Sequence, residues 1–292
     1  VLAIDIGGTK LAVGVVDGDG TILVEEHAGT PRTDQADEVY DALASVVDSV
    51  VTSGGPPPQV CGVGCGGPMA AGGATVSPLN IPGWRDFPLK ARLEALTGLP
   101  TAVDNDAKAL ALGEGWMGAA AGSDNYLAMV VSTGVGAGIV LDGRLLDGAQ
   151  GNAGHIGHVI VEPDGRRCRC GGQGCLEAEA SGLSIAAITG RPAAEAPEGV
   201  RHRTGTLVGR AVASVANLLD LRLAVVAGSV ALGFGRTFFA AAQEEIDARS
   251  RLSFSRGTRI VPAGLGSRGP LVGAAAVGRR ALATRPEPVG RP

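Results

Sequence analysis

No run of about 18 consecutive apolar residues occurs in the 292-residue sequence, which argues against an ordinary membrane-spanning helix. No succession of charged, apolar and small residues of the secretory kind is present either. Positive charge is not in excess: the net charge is -4, so a nucleic-acid-binding surface is not expected. Charged residues are 18% of the chain against 45% hydrophobic, which excludes a disordered polymer. The length suffices for two domains around separate cores. A Walker loop is also missing, because no Gly-Lys-Ser/Thr opens a helix. The five cysteines are an odd number, and three crowd into Cys168–Cys175. That crowding fits a metal site in a reducing, cytoplasmic setting better than a disulfide framework. Val1 is not a methionine, which leaves room for residues upstream.

Glycine, in contrast, is abundant, with 47 residues gathered in short clusters that mark tight turns and close backbone approach. Leu2–Ile6 reads as a buried strand, Gly7-Gly8 as a corner, and Leu11–Val16 as a second strand. Asp17-Gly18-Asp19-Gly20 reads as a hairpin turn before a third strand from Ile22. Val39, Leu43, Val46, Val47 and Val50 recur at helical spacing, with Thr33 and Asp34 as cap candidates. A strand at Val60–Gly64, a helix near Leu89–Leu96 and a strand at Ala102-Val103 follow. The same grammar then restarts: strand Tyr126–Val131, glycine corner Gly134–Gly138, strand Ile139–Leu141, turn Asp142-Gly143. This is read as an internal repeat, one copy per half. Later come a helix near Val208–Leu219, a strand at Ala224–Val226, and a helix through Phe238–Ile246. A last helix spans about Leu271–Leu282, Pro192–Gly199 reads as a loop, and Arg285–Pro292 as a loose tail.

The corner Asp5-Ile6-Gly7-Gly8-Thr9-Lys10 places an acid, two glycines and a hydroxyl on one bend. Its backbone N–H groups can converge on an anion, Thr9 adds a donor, and Asp5 can hold magnesium through water. Ser132-Thr133-Gly134-Val135-Gly136-Ala137-Gly138 repeats that chemistry. Either bend alone reads equally well as a glycine hairpin without a ligand; the pair favours a triphosphate. Gly62-Val63-Gly64-Cys65-Gly66-Gly67 superficially suggests a dinucleotide motif, but Pro68 follows and no helix begins there. In Asp104-Asn105-Asp106, Asp106 falls at or near a helix start. An isolated Asp there reads as a cap; alternatively it is a general base kept ionised by the helix dipole. His158 with Cys168, Cys170 and Cys175 matches a closed Cys₃His structural zinc site. Cys61 and Cys65 are assigned to packing.

Together these residues resemble the ROK family of repressors, uncharacterised reading frames and sugar kinases, over nearly the whole chain. Asp5–Lys10 is similar to its first phosphate motif and Ser132–Gly138 to its second. Gly151–His158 followed by Cys168–Glu177 resembles its zinc-binding segment. Val225–Val230, with Gly228 and Ser229, resembles its adenosine-contacting stretch. Leu79-Asn80 before Pro82-Gly83-Trp84 resembles the loop that gives the sugar an asparagine. The resemblance implies an α/β protein of two ribonuclease-H-like domains of the actin/hexokinase type, closing on ATP and sugar across a cleft. The expected domains are 1–105 plus 277–292, and 106–276 with the zinc loop.

The resemblance further implies that Asp106 activates the sugar's 6-hydroxyl, with Asn80, Asn105, His158 and Glu177 on other hydroxyls. It assigns the nucleotide to Asp5, Gly7, Gly8, Thr9, Lys10, Thr133, Gly134, Gly136, Gly228 and Ser229. ATP, Mg²⁺ and structural Zn²⁺ are the expected cofactors, sugar and nucleotide the expected partners, and a homodimer the expected assembly. One departure stands out. Glucokinases of the family usually carry Glu-x-Gly-His, whereas this chain has His155-Ile156-Gly157-His158, as bacterial N-acetylmannosamine kinases do. An imidazole both donates and accepts, so His155 points to a different sugar preference. Two other readings are a sugar-responsive repressor of the same family and a zinc-ribbon interaction protein. The repressor is expected to need a helix-turn-helix segment ahead of the first corner, for which Asp5 leaves no room. The zinc ribbon leaves both corners unexplained.

Overall fold

The computed structural model describes residues 1–283, so the tail expected at Arg285–Pro292 lies outside the described residues. The chain divides into two compact units. One comprises Val1–Gly113, Asp147–Asn152 and the chain from Ser267; the other comprises Glu114–Leu146 and Ala153–Gly266.

In the first unit, β1 (Leu2–Ile6), β2 (Lys10–Val16) and β3 (Ile22–Gly29) form an antiparallel meander. Helix α1 (Ala36–Thr52) leads to β4 (Cys61–Cys65), and α2 (Leu89–Thr97) to β5 (Thr101–Asn105). The sheet order is β3-β2-β1-β4-β5, with β1, β4 and β5 parallel. Helix α3 (Asp106–Met117) follows β5 without a linker. The apolar repeat of α1 is buried as its spacing predicts, beside Leu2, Ile4, Val13 and Val63. Its expected caps, Thr33 and Asp34, lie before the cap position, which Gln35 occupies without a side-chain bond. The helix entrance is set by tertiary packing instead. The indole of Trp84 donates to the Ala36 carbonyl at 3.0 Å, and a Cβ on Gly83 would meet the Asp34 carbonyl at 2.6 Å.

The second unit repeats this plan with β6 (Tyr126–Val131), β7 (Val135–Leu141) and β8 (Arg144–Leu145). Helices α4 (Leu176–Ala180), α5 (Gly182–Thr189) and α6 (Glu198–Leu219) precede β9 (Leu223–Ala227). Helix α7 (Ser229–Arg249) and β10 (Arg259–Pro262) follow. The sheet order β10-β9-β6-β7-β8 is the first unit's order, element for element. The repeat inferred from turn chemistry is therefore a repeat of topology, two ribonuclease-H-like α/β units.

Three expectations differ in extent. The corner placed at Gly134–Gly138 is mostly strand β7, and the turn itself is Ser132–Gly134. Helix α6 begins at Glu198, inside the stretch read as loop, and α7 begins at Ser229, well before Phe238. In α7 the apolar pattern is broken by Gly235, whose φ of 55° and ψ of -134° interrupt the helical turn.

The last helix, α8 (Gly269–Ala283), packs on β1, β2, β4 and β5 of the first unit. The expected bounds at 105/106 and 276/277 therefore differ from the observed ones. The start of α3 packs within the first unit, where a Cβ on Gly273 would lie 2.7 Å from the Ala109 carbonyl. The short segment Asp147–Asn152 belongs there because Lys108 is nearly fully buried and needs partners. Its ammonium donates to Asp147 Oδ1 at 2.8 Å and to the Gly151 carbonyl at 3.1 Å, and pairs with Asp104 at 3.0 Å. Arg280 of α8 also binds Asp147.

The glycines at 62 and 64, read from sequence as a doubtful dinucleotide motif, are packing residues. A Cβ on Gly62 would fall 2.1 Å from the Ala274 carbonyl and 2.6 Å from the Gly278 nitrogen. Helix α8 thus lies backbone-to-backbone on β4. Gly62→Ala should lower stability by roughly 1–3 kcal/mol or more, measured by chemical denaturation. Gly18→Ala, with nothing within 4 Å of the added carbon, should leave it nearly unchanged.

Candidate active site

The parallel register of the first sheet aligns Asp5 with Gly64 and Gly64 with Asp104, so that β1, β4 and β5 end together at Ile6, Cys65 and Asn105. The residues just past these ends collect at one sheet edge. Gly64 lies between two acids: a Cβ there would sit 3.6 Å from Asp5 Oδ1 and 3.8 Å from Asp106 Cα. Burial first, then the neighbouring Asp106 carboxylate, raises Asp5 to about 7, against a smaller opposing pull from Lys10. Asp106 is the first residue of α3, and its Oδ1 accepts from the Ala107 N–H at 2.8 Å. The Asn105 side chain accepts from the same N–H at 3.0 Å. Asn105 thus shares the capping task that the bland reading gave to Asp106 alone.

The first glycine corner is braced from outside, since Thr30 Oγ1 donates to the Gly7 carbonyl at 2.7 Å. Gly7 N–H donates to the Lys10 carbonyl, whereas the N–H groups of Gly8 and Thr9 have no protein acceptor among the described residues. Two adjacent, unclaimed donors are what an anion needs. Asn80 packs directly on this corner: a Cβ on Gly8 would meet Asn80 Cβ at 2.4 Å. Its loop is held by Arg85, whose Nη1 donates to the carbonyls of Pro78, Ile81 and Trp84. The first unit therefore brings together Asp5, the Gly7–Lys10 corner, Asn80, Asn105 and Asp106.

The second unit gathers its own set at the ends of the parallel pair β6 and β9. Ser132 N–H donates to the Gly134 carbonyl, and the N–H groups of Thr133 and Gly134 have no acceptor among the described residues. Ser132 Oγ lies 3.0 Å from Ser229 Oγ, at the start of α7. Gly228 has φ 101°, and a Cβ would strike the Val131 carbonyl at 2.3 Å, so only glycine lets β9 turn into α7 here. Glu177, in the first turn of α4, accepts from the Val135 N–H at 3.0 Å. Gly136 lies one step inside β7, opposite Val130, and not on the bend.

Next to this set, His158, Cys168, Cys170 and Cys175 present ligand atoms all within 4.8 Å of one another. Cys168 Sγ is 3.7 Å from His158 Nδ1, and Cys170 Sγ is 3.8 Å from Cys175 Sγ. A tetrahedron of zinc ligands at ordinary bond lengths has edges of about 3.5–3.8 Å, so the donor set fits the ion. The loop curls through Gly174, where φ is 72° and a Cβ would lie 1.7 Å from the Glu162 carbonyl. Burial and the crowded thiols raise Cys175 to about 12. His155 stands beside the cluster, its ring centroid 6.1 Å from that of His158. Cys61 and Cys65 are buried at the ends of β4, consistent with packing.

Several contributors went unrecognised in the sequence: Gly64 between the acids, Thr30 behind Gly7, and Arg85 under the Asn80 loop. Only Gly64 had a signal, the period-two glycines of a strand, and they were weighed only as a nucleotide motif.

Two α/β units of one strand order, each with a glycine corner at its strand ends, define a protein of the actin/hexokinase type. The profile of the ROK family matches residues 1–281. The N-acetylmannosamine kinase of Citrobacter koseri is 38% identical over 250 residues, covering 80% of this chain and 84% of that protein. The ROK hexokinase from Thermus thermophilus superposes with a TM-score of 0.83 at 32% identity, over 98% of this chain and 99% of that one. A ROK family glucokinase from Streptomyces griseus, in complex with glucose and AMPPNP, gives 0.81 at 31% identity, over 96% and 99%. A ROK family transcriptional regulator, a homologue of the E. coli MLC protein, gives 0.83 at 25% identity, over 96% and 78%. The chain belongs to the ROK family.

The raised affinity of Asp5 for its proton has a consequence for stability. Between its ordinary value of 3.8 and about 7 the folded chain binds more protons than the unfolded one, so stability falls as pH rises through that window. Asp5→Asn, compared without ligands and without added magnesium, should melt several degrees above wild type at pH 8. The two should converge near pH 4. A constant difference across that range would show that the Asp5 charge is not strained.

Proposed function

We propose that this protein is an ATP-dependent sugar kinase that phosphorylates the 6-hydroxyl of a hexose or N-acylhexosamine, with N-acetylmannosamine preferred. The observation that carries the reading is the Asp5–Gly64–Asp106 edge beside a glycine corner with unclaimed donors, in a chain of this family. Asp106 accepts the proton of the 6-hydroxyl as that oxygen takes the γ-phosphoryl group and ADP leaves. The N–H of Ala107 and the start of α3 present positive partial charge to this carboxylate. Asn105, whose Oδ1 is occupied at the helix start, offers its amide N–H groups to the sugar. Asn80, His155, His158 and Glu177 hold the remaining polar groups, and a sugar that left them unpaired would be rejected.

The nucleotide is assigned to Asp5, Gly7, Gly8, Thr9 and Lys10 in the first unit. In the second unit it is assigned to Thr133, Gly134, Gly136, Gly228 and Ser229. Magnesium, held through water near Asp5, would neutralise phosphate charge. Zinc would be structural, bound by His158, Cys168, Cys170 and Cys175, and would fix the ring of His158. His155, a donor as well as an acceptor, favours an N-acyl sugar, in line with the Citrobacter relative being an N-acetylmannosamine kinase. A cytoplasmic setting that keeps the thiols reduced, and a homodimer observable by light scattering, belong to the same reading. Among the described residues no helix is long and apolar enough to cross a membrane.

A coupled ADP-release screen of glucose, mannose, N-acetylmannosamine, N-acetylglucosamine, allose and fructose tests the proposal. A parallel arm replaces ATP with polyphosphate. N-acetylmannosamine should give the highest kcat/KM, while a flat panel would favour a sugar-responsive regulator. Asp106→Asn should cut kcat by roughly 10²–10⁴ while the circular dichroism spectrum stays unchanged. Wild-type turnover in that variant would remove the assigned base. Metal analysis of protein purified without chelators should find one zinc per chain, and Cys170→Ser should lose it. Zinc-free wild type would refute the site.

A further inference from the structure

The carboxylate of Glu177 makes a contact that a purely sugar-binding residue does not need. Its Oε2 accepts from the Val135 N–H at 3.0 Å, at the exit of the second glycine corner. The same oxygen would lie 3.0 Å from a Cβ on Gly134, so it rests on the corner's own backbone. On its other side, a Cβ on Gly157 would meet Glu177 Cβ at 3.3 Å and the Val135 carbonyl at 2.4 Å. Glu177 is thus packed between the corner and the residue preceding His158. Its placement along the chain is equally constrained. Cys175 is the cap residue of α4, and Leu176 N–H donates to the Val159 carbonyl at 2.9 Å. Among the described residues, Oε1 accepts no hydrogen bond.

We propose that Glu177 is a positioning residue for the nucleotide: through the Val135 N–H it holds the Ser132–Gly134 bend so that the Thr133 and Gly134 donors stay presented to phosphate. The inference rests on the kinase reading and deepens it. One carboxylate then serves two tasks, Oε2 shaping the phosphate corner and Oε1 remaining for a sugar hydroxyl. The hydrogen bond also removes an objection. An unengaged carboxylate beside an anion-binding bend repels phosphate, whereas one bound to an N–H has part of its charge compensated. Apart from Glu177, the bend is tied by Ser132 N–H to the Gly134 carbonyl, by Ser132 Oγ to Ser229 Oγ at 3.0 Å, by Gly182 N–H to the Ser132 carbonyl, and by Leu183 N–H to the Thr133 carbonyl at 3.4 Å. None of these engages Val135, so Glu177 alone pins the exit of the bend from its N–H side.

The test is the affinity of zinc-loaded protein for AMPPNP with magnesium, measured by calorimetry without sugar, for wild type and three variants. Glu177→Ala should weaken nucleotide binding roughly tenfold or more, the effect of leaving the Val135 N–H without its acceptor. Glu177→Asp, which keeps the charge but shortens the reach by one methylene, should weaken it similarly and carries the test if the alanine variant does not fold. Glu177→Gln should stay within about threefold of wild type, because its amide oxygen can still accept from Val135. Alanine and aspartate variants that bind as wild type does would overturn the inference, leaving Glu177 to the sugar alone. A glutamine variant as weak as alanine would overturn it too, since charge and not the acceptor would then matter. Wild type that binds no nucleotide ends the kinase reading and this inference with it.

Discussion

Two acids held across a glycine, at the edge where three parallel strands stop together, are the constraint on which the rest of the first unit depends. The register of β1, β4 and β5 leaves no freedom in where Asp5, Gly64 and Asp106 meet. A Cβ at 64 would crowd Ala109 Cβ at 3.3 Å and stand 3.6 Å from Asp5 Oδ1, and one at 62 would lift α8 from the sheet. Strand β4 therefore has glycine where a buried strand would ordinarily carry a branched apolar residue, and Val63 supplies the packing. The cost is electrostatic: Asp5 is buried next to a like charge and its proton affinity rises to about 7. Strain of this kind concentrates where charge is to be handled.

The second unit solves a related problem by different means. It keeps the strand order and the bend with unclaimed donors, but its strand β9 (Leu223–Ala227) has no glycine for acids to flank. Instead a single carboxylate, Glu177, is delivered to the bend by a short helix that starts at Cys175 of the His/Cys cluster. A helix of this length has little stability of its own. Its position is inherited from the bridge between Ile160 and Cys175, the backbone bond to Val159, and the four convergent donors. The cluster's position immediately before Glu177 in the chain thus has a mechanical reason as well as a chemical one.

Legibility in the sequence followed the range of the interactions. The cysteine cluster could be read directly, because Cys168, Cys170 and Cys175 are neighbours in the chain and their chemistry is local. The two corners were legible for the same reason, although the second was drawn too long and took in Gly136, which is strand. Asn105 was given to the sugar by resemblance; its part in starting α3 appeared only with the hydrogen bond to Ala107. Thr33 and Asp34 had the right chemistry for a cap but lie in a segment whose path Trp84 and Gly83 dictate. Gly62 and Gly64 looked like a nucleotide motif because a sequence does not distinguish glycine needed for a ligand from glycine needed for a neighbouring backbone.

What the sequence by itself determined is the inventory and its order: two rounds of strand, bend, strand and turn, an acid ahead of one bend and another at a helix start, and a metal-ligand cluster. These are short-range properties, set by backbone preference, side-chain periodicity and donor chemistry within a few residues. What only the tertiary structure decided is which of them act on one another. Asn80 rests on Gly8, Thr30 braces Gly7, the charge of Asp106 acts on Asp5, and Glu177 reaches Val135. Each of these contacts joins residues far apart in the chain. They exist because strand register and helix docking bring them within a few ångströms, and no local preference encodes that distance.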